Sequence, residues 1–171
     1  HAAIRRPEQD NGPEYRAAVE PLQRMRTAIP AIRYMYTLIL DGASVRFVLD
    51  AAEPGDHDGD GVEDHSAVGD LSVSPQTAKL EALGWNGQPG RPTATHQPYT
   101  DAWGTFMTGY APILDARGRQ EGVVGVDLDA SGYVAHLEAA RRDLLLGLLP
   151  AALMIVLLTV TVYRLRYRGF A

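Results

Sequence analysis

Residues 32–50 read IRYMYTLILDGASVRFVLD. Ile32, Tyr34, Tyr36, Leu38 and Leu40 fall on one alternate set, in a run rich in aromatic and β-branched residues. Asp41-Gly42 follows as a turn signal, and Val45, Phe47 and Leu49 alternate again. A period of two on both sides of a turn predicts an antiparallel hairpin, each alternate set on one face of the sheet.

The pattern repeats downstream. Thr105 to Leu114 predicts a third strand with Phe106, Thr108 and Tyr110 on one face. Asp115 to Gly118 is a turn, and Glu121 to Leu128 a fourth strand, Val-rich and marked by Gly122 and Gly125. Upstream, Tyr15, Ala18, Val19, Leu22, Met25 and Ile29 recur at three-four spacing and predict a helix over 14–29. Pro21 predicts a kink or a restart within it, and Pro30 ends it. That stripe reads either as a helix packed on its own domain or as a dimer seam. Residues 1–13 read as a loose start. Ser74 as N-cap and Pro75 in the first turn predict a short helix closed by Gly84. Asn86 to Pro98, with three prolines, reads as irregular. The sum is a small α+β domain around an antiparallel sheet.

Leu144 to Tyr163 carries no charge, and at a rise of 1.5 Å per residue it makes a helix of about 30 Å, enough to cross a bilayer's hydrocarbon core. Its apolar residues lie all around the helix rather than on one stripe, which separates it from an ordinary core helix. Arg164, Arg166 and Arg168 form a basic collar that favours the cytoplasmic side, although Arg141 and Arg142 flank the other end. Ser131 reads as the cap of a helix through Arg142 that continues unbroken into the span. The expected organisation is a globular domain over 14–142 outside the cytoplasm, a transmembrane helix over 143–163 and a juxtamembrane stub over 164–171. The first residue is His1 rather than Met, which reads as a fragment or a processed chain.

The chain has 171 residues and a net charge of −5, and the soluble part is more acidic still because the tail is basic. That disfavours nucleic acid as a partner. There is no cysteine, hence neither a disulfide nor thiol chemistry, and Lys79 is the only lysine. No Gly-x-Ser-x-Gly, phosphate loop or nucleophile-base constellation is visible, so a catalytic role is not expected.

Residues 54–65 read PGDHDGDGVEDH. From Asp56 the pattern is Asp-x-Asp-x-Asp-Gly-x-x-Asp. Calcium wants six to eight oxygens, and carboxylates at alternate positions of a tightly wound loop can all point inward. Asp56, Asp58, Asp60 and Asp64 would supply carboxylates, Val62 a backbone carbonyl, and Gly61 the sharp turn. The twelfth position is Ala67 instead of a bidentate Glu, so either Asp70 or a water replaces that ligand or the expected ion, structural in role, is weakly held. The same residues also read as a solvated loop with turn-forming Asp-Gly pairs. His57 and His65 match no zinc-helix spacing.

The stretch YTDAWGTFMTGYAPILDARGR (99–119), followed by GVVGVDLDA (122–130), resembles the extracytoplasmic Cache sensor domains, PAS-like modules of bacterial histidine kinases, diguanylate cyclases and chemoreceptors. The Ile32–Asp50 hairpin fits the same family, and the resemblance covers most of 14–142. It implies a five- or six-stranded sheet, a long N-terminal helix descending from an earlier membrane span, and a small-molecule pocket on one sheet face. The amino-acid-binding members carry an Arg followed by a Trp-Tyr pair; here Arg91 precedes Pro92 and Trp85 precedes Asn86, which argues against an amino-acid ligand. Tyr36, Trp103, Tyr110 and Asp127 are the candidate ligand residues, since aromatic rings give apolar walls with polar tips and one carboxylate fixes a cationic or hydroxylated group. Each ring on its own is more often core than ligand contact. Asp127 reads equally as a partner for a neighbouring backbone amide, and Asp101 as the cap of the turn before Trp103. The function expected is a sensor in the bacterial cell membrane, a homodimer that passes a ligand-driven change to a cytoplasmic output domain. The alternative is a membrane-anchored calcium-binding or interaction module.

Overall fold

The computed structural model describes residues 4, 6–10, 12–73, 77–84 and 89–168, without the side chains of 151, 167 and 168. Two compact units divide after Ser131, eleven residues before the boundary expected from the charge pattern.

The first unit is α+β. Its elements are α1 (Pro13–Ala28), β1 (Ile32–Asp41), β2 (Ser44–Asp50), α2 (Thr77–Leu83), β3 (Thr93–Ala94), β4 (Tyr99–Asp101), β5 (Gly104–Leu114) and β6 (Gln120–Asp129). The strands form one antiparallel six-stranded sheet in the order β2-β1-β6-β5-β3, with β4 also paired to β5. Both expected hairpins are present. The first turns at Gly42, where φ of 60° suits glycine. Thr93–Ala94 adds a short strand inside a segment expected to be irregular.

One alternation runs differently from its expectation. A bulge in the β1–β2 ladder pairs Thr37 with Leu49 but Leu38 with Phe47, leaving Val48 as the extra residue. A bulge shifts the pleat by one, so everything after it changes face. Val45 and Phe47 therefore share a core with Tyr34, Tyr36, Leu38, Phe106, Tyr110 and Val123, under Ala78, Ala82 and Leu83 of α2. Leu49 belongs instead to the opposite core, with Ile39, Val48 and Val68 under Tyr15 and Val19 of α1.

α1 is 16 residues, roughly 24 Å at 1.5 Å per residue, shorter than the long helix the family resemblance implied. Pro21 lies inside it without ending it. Pro21 falls in the third turn, and the amphipathic face holds the helix on the sheet through Tyr15 and Val19. Met25 and Ile29, at its far end, stay exposed. The start of the chain is less loose than expected: Ile4 is buried in the core beneath α1, and Pro7–Gln9 form a 3-10 turn. The Ser74 cap and Pro75 lie outside the described residues, while Gly84 does close α2, with φ of 76°.

Among the described residues, the long loop after β2 carries its own hydrogen-bonded organisation. Its return runs beside β2, where the Phe47 amide donates to Asp70 and the Gly69 and Ser72 amides to Phe47 and Val45. This covers part of an edge strand that would otherwise present open backbone groups.

The helix α3 (Ser131–Arg168) starts at the last residue of the first unit and makes up the described part of the second from Gly132 on. Ser131 is its first residue rather than its cap, and its amide donates to the Asp129 carboxylate at 2.8 Å. The helix is long and apolar enough to cross a membrane. Its large apolar side chains between Leu144 and Leu165 are exposed. Thr159 and Thr161 turn their hydroxyls onto the carbonyls of Ile155 and Leu157, four residues back, at 2.8 and 2.7 Å. This satisfies them without water.

Candidate functional site

The sheet face opposite α1 carries a pocket whose walls include Tyr36, Trp103, Tyr110 and Asp127 together. Every one of the four candidate ligand residues lies on it. β1 contributes Tyr34 and Tyr36, β2 Phe47 and Asp50, and β5 Phe106 and Tyr110. β6 adds Asp127, α2 Lys79, and the β4–β5 hairpin Tyr99, Asp101 and Trp103. The acidic loop closes one side with Asp64, Ser66 and Ser72. The cavity is small, with a volume of about 40 Å³. At roughly 10–15 Å³ per water this is a site for a few heavy atoms.

Asp127 is only 6% exposed. Among the described residues its donors are side chains rather than a backbone amide. Tyr36 Oη donates to its Oδ1 at 3.1 Å and Thr108 Oγ1 to the same oxygen at 2.6 Å. Thr108 is the direct partner of Asp127 on β5, while Tyr36 lies on β1 two residues beyond Tyr34, the β1 partner of Asp127. No donor among the described residues reaches Oδ2. Burial pushes the Asp127 carboxyl up to about 7, against the pull of the Thr108 and Tyr36 hydrogen bonds.

Gly125 makes room for this arrangement. It stands opposite Tyr36 on one side and Tyr110 on the other. A Cβ there would lie 2.5 Å from Tyr36 Cε2. The Tyr36 ring therefore lies over bare backbone and reaches Asp127 two residues on.

The remaining carboxylates differ in how they are answered. Burial raises Asp50, opposed by hydrogen bonds from the Ala52 and Ser66 amides and by the charges of His65 and Arg26. Burial also raises Asp64. The Tyr34 hydroxyl, the His57 amide and the Arg33 charge outweigh that and hold it below the usual carboxylate range. Asp101 caps the turn as expected, accepting the Trp103 amide at 3.0 Å, and burial raises it too. Lys79, 2% exposed, donates to Ser72 Oγ at 2.9 Å. Burial lowers its ammonium to about 8, with Asp127 and Asp101 pulling the other way.

Sequence reasoning missed Lys79, Asp50, Asp101 as a pocket wall, and Thr108 as the second donor. A lone lysine in an Arg-rich chain was the only visible signal. Its place on the pocket follows from α2 packing on the sheet.

Beside the pocket, Asp56, Asp58 and Asp64 each bring a carboxylate oxygen within 4.8 Å of the others. Asp60 is not among them; it accepts the Val62 amide at 2.8 Å. The oxygens of the trio are already engaged. Asp56 takes the Gly59 and Gly61 amides, which hold it below the usual range, Asp58 takes Arg33 and the Asp60 amide, and Asp64 takes Tyr34 and the His57 amide. Each carboxylate oxygen keeps a second lone pair, so the donor set suits a hard cation in kind. It offers three side-chain carboxylates of the four expected. The Trp103 indole N–H donates to the Glu63 carbonyl at 2.8 Å, tying this loop to the pocket rim.

No protein-family model matches this sequence, and a search of curated proteins returns no match. The Cache resemblance rests on the residues quoted for it.

Proposed function

We propose that the β-rich unit is the ligand-sensing domain of a membrane-bound receptor, held outside the cytoplasm by α3 as a single span. In this reading a ligand-driven change passes to a cytoplasmic output domain. The observation that carries the proposal is the shared pocket of Tyr36, Trp103, Tyr110 and Asp127, in a chain whose next element is a helix long and apolar enough to span a membrane. Buried aromatic walls with a few convergent polar groups are the usual make-up of a small-molecule site. β6 carries Asp127 and is separated from α3 by Ala130 alone, so a shift of that strand on binding would act directly on the start of α3. Such a signal requires two packings with different ligand affinity. The Cache resemblance supports the same reading, and a homodimer of such domains would place the exposed Met25 and Ile29 of α1 at its contact.

The test is a thermal-shift screen of the chain in detergent against small organic amines, acids and polyols, with Trp103→Ala and Tyr110→Ala as pocket controls. A saturable shift lost in both variants supports the proposal; the absence of any shift across the three classes defeats it. A second reading, a membrane-anchored calcium-binding module, draws on the gathered carboxylates of Asp56, Asp58 and Asp64. It predicts a shift with calcium and none with organic ligands.

A further inference from the structure

We propose that Ser72 is an acylation site: its hydroxyl, with Lys79 as general base, takes a short acyl group from an activated ester that enters the cleft. This chemistry needs an accessible cleft but no sensing role.

The pair is assembled by packing. Ser72 stands on the loop return beside β2, and Lys79 lies on α2. Both line the cleft. Lys79 Nζ is 2.9 Å from Ser72 Oγ and 3.3 Å from the Ser72 carbonyl oxygen. A carbonyl can only accept, so a neutral amine keeps an N–H on it and turns its lone pair to the hydroxyl. That is the contact a nucleophile and its base require. Lys79 is buried, and it is the only lysine in a chain whose other strong bases are arginines, which do not give up their proton. Burial lowers its ammonium to about 8, against the charges of Asp127 and Asp101, so roughly a tenth is neutral amine at pH 7.

The step balances within the cleft. Ser72 Oγ forms a bond to the carbonyl carbon of the ester while its proton passes to Lys79 Nζ. The tetrahedral intermediate then expels the alcohol oxygen, which leaves with that proton. The products are an ester on Ser72 and a free alcohol, and Lys79 is a neutral amine again. The nucleophile's own amide, a usual oxyanion donor, is committed to the Val45 carbonyl at 2.9 Å. The ester must therefore carry a good leaving group, and the acyl-serine should persist rather than turn over. The cavity of about 40 Å³ limits the acyl part to a few heavy atoms.

The test uses p-nitrophenyl acetate on the full chain in detergent, followed by intact mass and peptide mapping. The expected result is an acetyl group on Ser72, released by alkaline hydroxylamine as an ester is and an amide is not. Its rate of appearance should rise with pH and level off above about 8, where Lys79 is neutral. Ser72→Ala should lose this label. Lys79→Met, which keeps the length of the side chain and removes the base, should slow it about 100-fold. Should either variant fold poorly, the labelled position and the pH profile of the unmodified chain decide. Acetyl on the Lys79 amine, or on surface groups with none on Ser72, overturns the proposal. So does a Ser72 label whose rate climbs with hydroxide concentration and shows no plateau.

Discussion

Gly125→Ala is the sharpest test of how the pocket is built. The added Cβ would stand 2.5 Å from Tyr36 Cε2, 2.8 Å from Cζ and 3.1 Å from Cδ2. These are atoms of a ring, not the tip of a flexible chain. The ring is wedged against Phe47, with centroids 5.2 Å apart, and is 8% exposed, so it has little freedom to give way. Restoring ordinary contact requires a displacement of about 1 Å, and forced overpacking of this kind costs about 1–3 kcal/mol. Moving the ring also breaks the 3.1 Å hydrogen bond to Asp127, worth about 1 kcal/mol when buried. The sum is about 2–4 kcal/mol, or a fall in Tm of roughly 6–16 °C for a unit of this size. The assay is a thermal melt in detergent followed by near-ultraviolet circular dichroism, which reports the tyrosine cluster. Tyr36→Leu supplies the second arm: with the ring gone, Gly125→Ala should cost less than about 1 kcal/mol, a coupling that a double-mutant cycle resolves. Equal losses in both backgrounds would refute the steric account, as would a Gly125→Ala protein melting within 1 °C of the parent.

Asp127 makes stability depend on pH in a defined direction. Its folded value of about 7 lies above its ordinary value of 3.8, so the folded state holds the proton more tightly. Stability is then highest at the acid end of that window and declines as pH rises from about 4 through 7, by up to about 4 kcal/mol at 1.36 kcal/mol per unit. Asp127→Asn should flatten the melting temperature between pH 5 and 8, and an unchanged slope rejects the assignment. For the acidic loop, millimolar calcium should raise the melting temperature and Asp58→Asn should abolish the rise. No response in the parent chain would leave the loop held by its own hydrogen bonds. If α3 spans a bilayer, the chain should stay in the membrane pellet after alkaline extraction. Leu153→Arg, costing about 2.5–3.5 kcal/mol at the helix centre, should raise the extractable fraction; a parent chain released by alkali counts against a span.

Much of the architecture is legible in local pattern. The alternation in 32–50 and 105–128 sets both hairpins, and the uncharged run from Leu144 sets α3. The bulge at Val48 is not legible, since a one-residue slip depends on how β2 pairs with β1 and the sequence on either side alternates without interruption. The stripe over 14–29 matches α1 to within one residue at each end, and the longer helix was implied by the family resemblance alone. The four candidate ligand residues were picked for chemistry alone, and the pocket they share was not visible in their spacing.

Periodicity, turn residues and apolar length act between neighbours in the chain, so local pattern alone sets which elements form and makes one of them long and apolar enough for a bilayer. The pocket is a matter of sheet order. Placing β6 between β1 and β5 brings Tyr36 to a residue 91 positions away, and packing α2 on that face delivers Lys79 among the carboxylates. Burial and charge balance are properties of that assembled space, so the chemistry of Asp127 was decided only when the strands came together.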